Sequence, residues 1–380
     1  MGQPADRTGG IKSTHIPSLD GFRALAVLFV FFSHAVKSVK IPGRFGVTVF
    51  FFLSGYLITT LMRREYDATG RVDMRAFLLR RAFRILPPFL VILFVTVAAV
   101  STGVFLGEIH LAAVIAAVSF YANYYMIATS PEQMPPGAGV LWSLAVEEHF
   151  YLIFPWAYVW MRRAWPSRVR QVIGLAALAL VVLAWRCVLV FHLHPSTIER
   201  VRIATDTRID SILFGCMLAI VGNPVIDRPM AIPESAWKRV LVPIALATLV
   251  GSLLVSDDRI RETVRYTVQG VALVPLFVAA IRWPSWGFCR LLNSRPVVFV
   301  GQTSYSFYLL HDVVLHQLEY HGAGDVGRVL IGLPISMACS ALCYWWIEKP
   351  ATRLRVRLQA VLSVPMPVGP VASVRPSSIE

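Results

Sequence analysis

The chain alternates long apolar runs with short polar or basic joints. Apolar stretches lie near 20–36, 45–62, 85–107, 109–128, 140–161, 172–191, 209–222, 240–255, 266–281, 297–318 and 328–347. Most approach the ~20 residues that a helix needs to cross hydrocarbon. Their apolar positions are continuous rather than alternating, which excludes a membrane β-barrel, and backbone amides in lipid must then be satisfied within helices. The pattern predicts an all-α fold: a polytopic membrane helical bundle of about ten transmembrane helices.

Charge decides how many stretches cross. The segment 63–84 carries Arg63, Arg64, Arg71, Arg75, Arg80, Arg81 and Arg84, and 162–170 carries Arg162, Arg163, Arg168 and Arg170. Both are therefore expected on the cytoplasmic side. An even number of crossings must lie between them, yet three apolar stretches do. The stretch ending at Leu141 is the suspect, because its approach from Ser130 to Gly139 holds three prolines and two glycines, which suits a re-entrant segment. Dropping one leaves ten crossings in a cytoplasmic (inner) membrane with both termini cytoplasmic, in agreement with the basic run from Lys349 to Arg357. Arg259, Arg261 and Arg265 then fall on the opposite side, a local breach of the rule diluted by Asp257, Asp258 and Glu262.

The organisation follows. Residues 1–18 are polar and expected to be a poorly ordered cytoplasmic N-terminus without a cleavable signal, and Asp6 stands where a myristoylation motif needs Ser or Thr. Residues 19–350 form one membrane domain without internal repeats, and 351–380 are read as a basic, disordered cytoplasmic tail.

Composition supports this reading. Apolar residues make up 56% of the 380 and charged ones 15%, against roughly a quarter charged in soluble domains. The net charge of +14 is explained by arginines packed between spans and not by a nucleic-acid surface. The five cysteines, Cys187, Cys216, Cys289, Cys339 and Cys343, include no CxxC pair and read as thiols, neither a disulfide frame nor a metal site.

Polar side chains inside apolar spans are the candidates for chemistry, since a charge at bilayer depth is costly. Arg23 and His34 are eleven positions apart in the first stretch. They therefore share a helix face but lie ~16 Å apart along the axis, comparable to the reach of a cofactor arm. A buried histidine suits proton abstraction from a hydroxyl; as a structural hydrogen-bonding group it needs no such role. Arg81 and Arg84, three apart, share a side and suit phosphate binding, though a basic interfacial anchor has the same look. Pro87 and Pro88 are expected to end or kink that helix. Glu147 and Glu148 point about 100° apart, so one is expected toward a cavity and the other toward an arginine. Arg208 and Asp210 are candidates for an internal ion pair, and Tyr308 and His311 for one side of a cavity, with Asp312 and Glu348 also in or beside spans. No metal is expected.

Taken in order, these features resemble the acyltransferase type 3 family of multi-spanning bacterial acyltransferases. The resemblance rests on Leu19-Asp20-Gly21-Phe22-Arg23-Ala24 with His34, the run Phe45 to Thr59, Arg81 and Arg84 before Pro87, and Trp142 to Tyr151. Thr207-Arg208-Ile209-Asp210, Ser306 to His311 and Glu348-Lys349-Pro350 complete it. It implies ten membrane helices and acyl-coenzyme A as donor. It makes His34 the catalytic residue, as general base or as acyl-accepting nucleophile, with Glu147 and Glu148 beside it, and Arg23, Arg81 and Arg84 the cofactor-binding residues. The expected activity is transfer of an acetyl or other short acyl group to a hydroxyl of a carbohydrate, glycolipid or glycosylated natural product such as a macrolide. Two positions depart from the pattern: Thr48 stands where the family usually has Asp, and His149 where Gln commonly follows the glutamates. The competing function is a transporter or channel for a polar or glycan-like solute; paired, broken repeats would mark one, and the sequence shows none. A lipid-linked glycosyltransferase would need a carboxylate cluster, and Asp257-Asp258 has no third partner.

Overall fold

The computed structural model describes residues 15–192, 197–228 and 231–362, and every regular element among them is helical. In chain order these are α1 (Pro17–Ala35), α2 (Gly43–Thr69), α3 (Met74–Ser101), α4 (Leu111–Val118), α5 (Ala122–Ala128), α6 (Leu141–Ala164), α7 (Arg168–His192), α8 (Thr197–Ile203) and α9 (Thr205–Ile220). Then come α10 (Glu234–Leu254), α11 (Asp258–Glu262), α12 (Val264–Arg282), α13 (Gly287–Leu292), α14 (Arg295–Gln302), α15 (Ser304–Tyr320), α16 (Asp325–Cys343) and α17 (Lys349–Leu362). The all-helical, polytopic membrane architecture expected from the sequence is the one observed.

Among the described residues seven helices are long and apolar enough to cross a membrane: α1, α2, α3, α7, α10, α12 and the continuous segment from Asp325 to Leu358. The expected count of ten requires α6, α9 and α15 as well. Helix α6 has 24 residues but carries Glu147, Glu148, Arg162 and Arg163. Helices α9 and α15, with 16 and 17 residues, rise only ~24 and ~26 Å.

The approach to Leu141 that the sequence singled out is irregular, and a second interruption, not expected, lies before it. Helix α6 starts at Leu141 and runs unbroken, whereas 109–128 divides into α4 and α5, of eight and seven residues. The break is at Phe120, whose φ of 55° no α-helix tolerates. The prolines and glycines of 130–139 instead form two short 3-10 turns leading into α6. Gly137, at φ 73°, lies so close to α15 that a Cβ there would meet the Val313 backbone nitrogen at 2.3 Å. Only glycine serves such a position.

Other boundaries also moved. Helix α3 continues through Pro87 and Pro88, expected to end or kink it. The prolines lack the N–H groups that would bond the Phe83 and Arg84 carbonyls, and the Tyr305 hydroxyl of α15 donates to the next carbonyl, that of Ile85, at 2.9 Å. At the N-terminus, α1 begins at Pro17, inside the segment expected to be poorly ordered; residues 1–14 lie outside the described ones. At the other end, α17 extends to Leu362, so the first part of the expected tail is helical, and 363–380 lie outside the described residues.

The core is built on close helix crossings. Where α2 meets α9, a Cβ on Gly55 would stand 2.0 Å from the Ile212 carbonyl oxygen, and one on Gly215 2.0 Å from that of Phe52. Backbones this close are what small residues permit in membrane bundles. One end of the bundle is pinned by arginine. Buried Arg63 of α2 bonds Asp227 and the carbonyls of Ala219 and Ile220, and Arg162 reaches Asp67 at 2.6 Å. We call this the basic end; His34 stands near the opposite end, where α1 finishes.

Candidate functional site

Helices α1, α2, α3, α6 and α15 enclose a cleft holding about 800 Å³ of space, solvent included, lined in part by Arg23, Arg81, Arg84, Glu147, Tyr151 and Tyr308. The three arginines expected to bind a cofactor are thus brought together. Arg23 is held by Asp20 at 2.9 Å, one helical turn earlier on α1. Arg81 lies over the Tyr151 ring, 5.3 Å from its centroid. Among the described residues neither Arg81 nor Arg84 makes an ion pair, although Glu147 faces the same cleft. Free guanidinium groups in a concave site suit an anionic ligand.

The two glutamates divide as their spacing predicts, but only halfway. Glu147 lines the cleft and accepts from the Tyr151 hydroxyl at 2.7 Å, which in turn meets Ser54 at 3.0 Å. Glu148 does not line it, and its buried Oε1 has no hydrogen-bond partner among the described residues. The arginine partner expected for it is not there. His149, flagged as a departure, bonds Thr205 at 2.7 Å.

The second centre lies at the far end of α1. His34 Nδ1 is 3.2 Å from Asp312 Oδ1 and 3.1 Å from His311 Nε2. His311, fully buried, donates from Nδ1 to the Tyr308 carbonyl at 2.7 Å. That bond leaves His311 Nε2 as an acceptor, so the hydrogen between the rings belongs to His34 Nδ1. The neutral His34 tautomer then carries its lone pair on Nε2, which has no partner among the described residues. The side chain is 38% exposed and Asp312 is 26% exposed, so the pair opens to the surroundings. The same three side chains offer ligand atoms within 4.8 Å of one another.

Sequence reasoning named Asp312 only as a polar residue of its span and gave it no partner. A carboxylate directly after a histidine within an apolar run was the available signal. His34 itself does not line the cleft. Tyr308 connects the two centres: it lines the cleft, bonds Ser143 at 2.6 Å and the Val140 carbonyl at 3.0 Å, and its ring centroid is 5.7 Å from that of His311. His311 follows it by one helical turn.

Arg208 and Asp210 are corrected. Two residues apart on a helix, they point about 200° from each other, so they cannot face one another. Asp210 instead pairs with Arg186 of α7 through two bonds of 2.8 Å, both side chains fully buried. Among the described residues Arg208 has no carboxylate partner; it lies 3.7 Å from the Tyr266 ring centroid, with Trp142 and Phe51 at 5.5 and 5.7 Å. Its Nη2 donates to the Thr48 hydroxyl at 3.3 Å, at the position where the sequence lacks the expected Asp. Neither residue lines the cleft. The five cysteines are all free, three of them buried.

Comparison with known proteins finds relatives along most of the chain. A protein of Staphylococcus aureus (strain COL), named as a presumed O-acetyltransferase, is 30% identical over 354 residues, covering 89% of this chain and 58% of its own length. The O-acetyltransferase OatA of Staphylococcus aureus (strain NCTC 8325 / PS 47) is 28% identical over 354 residues, covering 88% of this chain and 57% of its own. The chain thus spans under two thirds of the length of these curated relatives. No solved structure matches it. The family model described as an acyltransferase domain matches residues 16–345, and the chain belongs to that family, acyltransferase type 3.

Proposed function

We propose that this chain is a membrane O-acyltransferase that moves an acetyl or other short acyl group from acyl-coenzyme A to a hydroxyl of a carbohydrate, glycolipid or glycosylated natural product such as a macrolide. One observation carries the reading: unpaired arginines and a tethered histidine occupy two depths of one helix bundle, joined by Tyr308. Family membership and the relatives' names support transfer over passage of a solute.

Arg81 and Arg84, with Arg23 beside them, take the donor's phosphates, and the donor's arm runs along α1 toward His34. The acceptor hydroxyl gives its proton to His34 Nε2 as its oxygen attacks the thioester carbonyl. The tetrahedral adduct collapses by breaking the carbon–sulfur bond, and the imidazolium returns the proton to the coenzyme A thiolate. Asp312 steadies the imidazolium and fixes its tautomer, and Glu147 holds Tyr151 against Arg81. In this arrangement the basic end faces the cytoplasm, the source of acyl-coenzyme A, and the termini lie on that side.

Removing either Arg81 or Arg84 by alanine substitution is expected to weaken coenzyme A binding by about 1.5–3 kcal/mol, the scale of a charge-assisted hydrogen bond. Titration calorimetry with coenzyme A checks this, and an unchanged Kd would return the arginines to surface anchors. Asp312→Asn is expected to lower kcat by about 10- to 100-fold, the scale on which groups orienting a histidine act, with the donor KM unchanged. A fall in donor affinity without a fall in kcat would remove Asp312 from the reaction.

A further inference from the structure

Two of the arginines that breach the expected positive-inside pattern, Arg261 and Arg265, lie in one cluster at the His34 end. Arg44 opens α2 directly after the α1–α2 turn, where a Cβ on Gly43 would meet the hydroxyl of Ser33, the neighbour of His34, at 1.9 Å. Arg44 reaches Glu262 Oε1 at 2.8 Å, and Arg202 and Arg261 each approach the same oxygen at 3.4 Å. The other oxygen, Oε2, accepts from the Tyr266 hydroxyl at 2.7 Å. A single fully buried carboxylate therefore serves three guanidinium groups and a phenol.

Little is left for Arg265. It is 7% exposed, follows the cluster on α12, makes no ion pair among the described residues and has a buried Nε without a hydrogen-bond partner; the Tyr266 ring lies 5.6 Å from its guanidinium. Arg208, behind the same Tyr266 ring, is equally without a carboxylate. Of the neighbouring acids, Glu199 and Asp258 are 44% and 61% exposed and bond Arg202 and Arg261 from the surface, and Asp257 accepts from the Ile260 backbone N–H. Burying unmatched guanidinium groups is costly, and arginine is disfavoured on this side of a membrane. A bound anion removes both penalties.

The geometry points to an oxyanion site, for phosphate or carboxylate, and we propose that the oxyanion belongs to the acyl acceptor. This rests on the acyltransfer reading. The donor's phosphates have their own arginines at the other end of the cleft. Phe51 lines the cleft and lies 5.7 Å from the Arg208 guanidinium, so the cluster reaches the cleft wall through Arg208. An acceptor anchored here by its charge presents a hydroxyl to the histidine.

The test uses the purified full chain with acetyl-coenzyme A and two acceptors that share their other hydroxyls, methyl glucoside and glucose 1-phosphate. The expected result is a kcat/KM at least tenfold higher for glucose 1-phosphate, and a ratio close to one in Arg265→Gln and in the rim variant Arg44→Gln. A purely structural lesion lowers both acceptors together and keeps the ratio; that outcome, or equal rates in the unmodified chain, overturns the proposal. Nanodiscs of phosphatidylglycerol against phosphatidylcholine separate the other source. An Arg265-dependent gain from anionic lipid, without discrimination between acceptors, would assign the site to a headgroup and overturn the acceptor assignment. If no acceptor turns over, the acyltransfer reading falls by itself. Calorimetric binding of glucose 1-phosphate that Arg265→Gln abolishes would still support the oxyanion site, and equal binding by both proteins would overturn it.

Discussion

Replacing His34 with alanine is expected to lower acyl transfer by about 10²- to 10⁴-fold, the range that a positioned general base supplies, while leaving donor affinity intact. The separation of functions along α1 is the reason. His34 stands ~16 Å from Arg23 along the helix, outside the cleft that the arginines line, so its loss removes the base without touching the phosphate contacts. Its partners do not substitute for it. His311 is fully buried, with Nδ1 committed to the Tyr308 carbonyl. Initial rates and coenzyme A titration on the same preparation separate the two effects, and near-normal turnover would remove His34 from the mechanism.

The largest expected loss of stability is at Asp210. Its carboxylate receives two bonds of 2.8 Å from Arg186, which also donates to the Thr207 carbonyl and the Thr267 hydroxyl at 2.7 Å, all within the buried junction of α7, α9 and α12. Asp210→Ala leaves the Arg186 charge buried without its counter-ion, an effect of about 3–5 kcal/mol. Thermal unfolding in detergent is expected to show a large drop in Tm. Pairing Asp210→Leu with Arg186→Met removes both charges and is expected to recover most of it. A single variant as stable as the unmodified chain would mean that the pair contributes little.

Much of the architecture was legible because it is written in local chemistry. Apolar run length gave the helices, and arginine placement gave the basic end that Arg63 and Arg162 pin. The sequence marked the approach to Leu141 as irregular, which it is, but missed the break in 109–128, because a left-handed backbone at Phe120 has no composition signal, whereas the prolines near 135 do. Spacing along one helix placed Arg81 and Arg84 together and Tyr308 beside His311. Contacts between distant segments were not legible: nothing local says that Asp312 meets His34, or that Arg186 and not Arg208 takes Asp210. The breach at Arg259, Arg261 and Arg265 was visible as an anomaly, but the convergence of Arg261 with Arg44 and Arg202 on Glu262 needed the fold.

The most direct measurement incubates the purified chain in detergent with a panel of acyl-coenzyme A donors and glycan or glycolipid acceptors, with a chelator present, and follows release of the coenzyme A thiol. The account predicts acceptor-stimulated release that is indifferent to the chelator and lost in His34→Ala. No release with any donor and acceptor, or release that persists in His34→Ala, would contradict it.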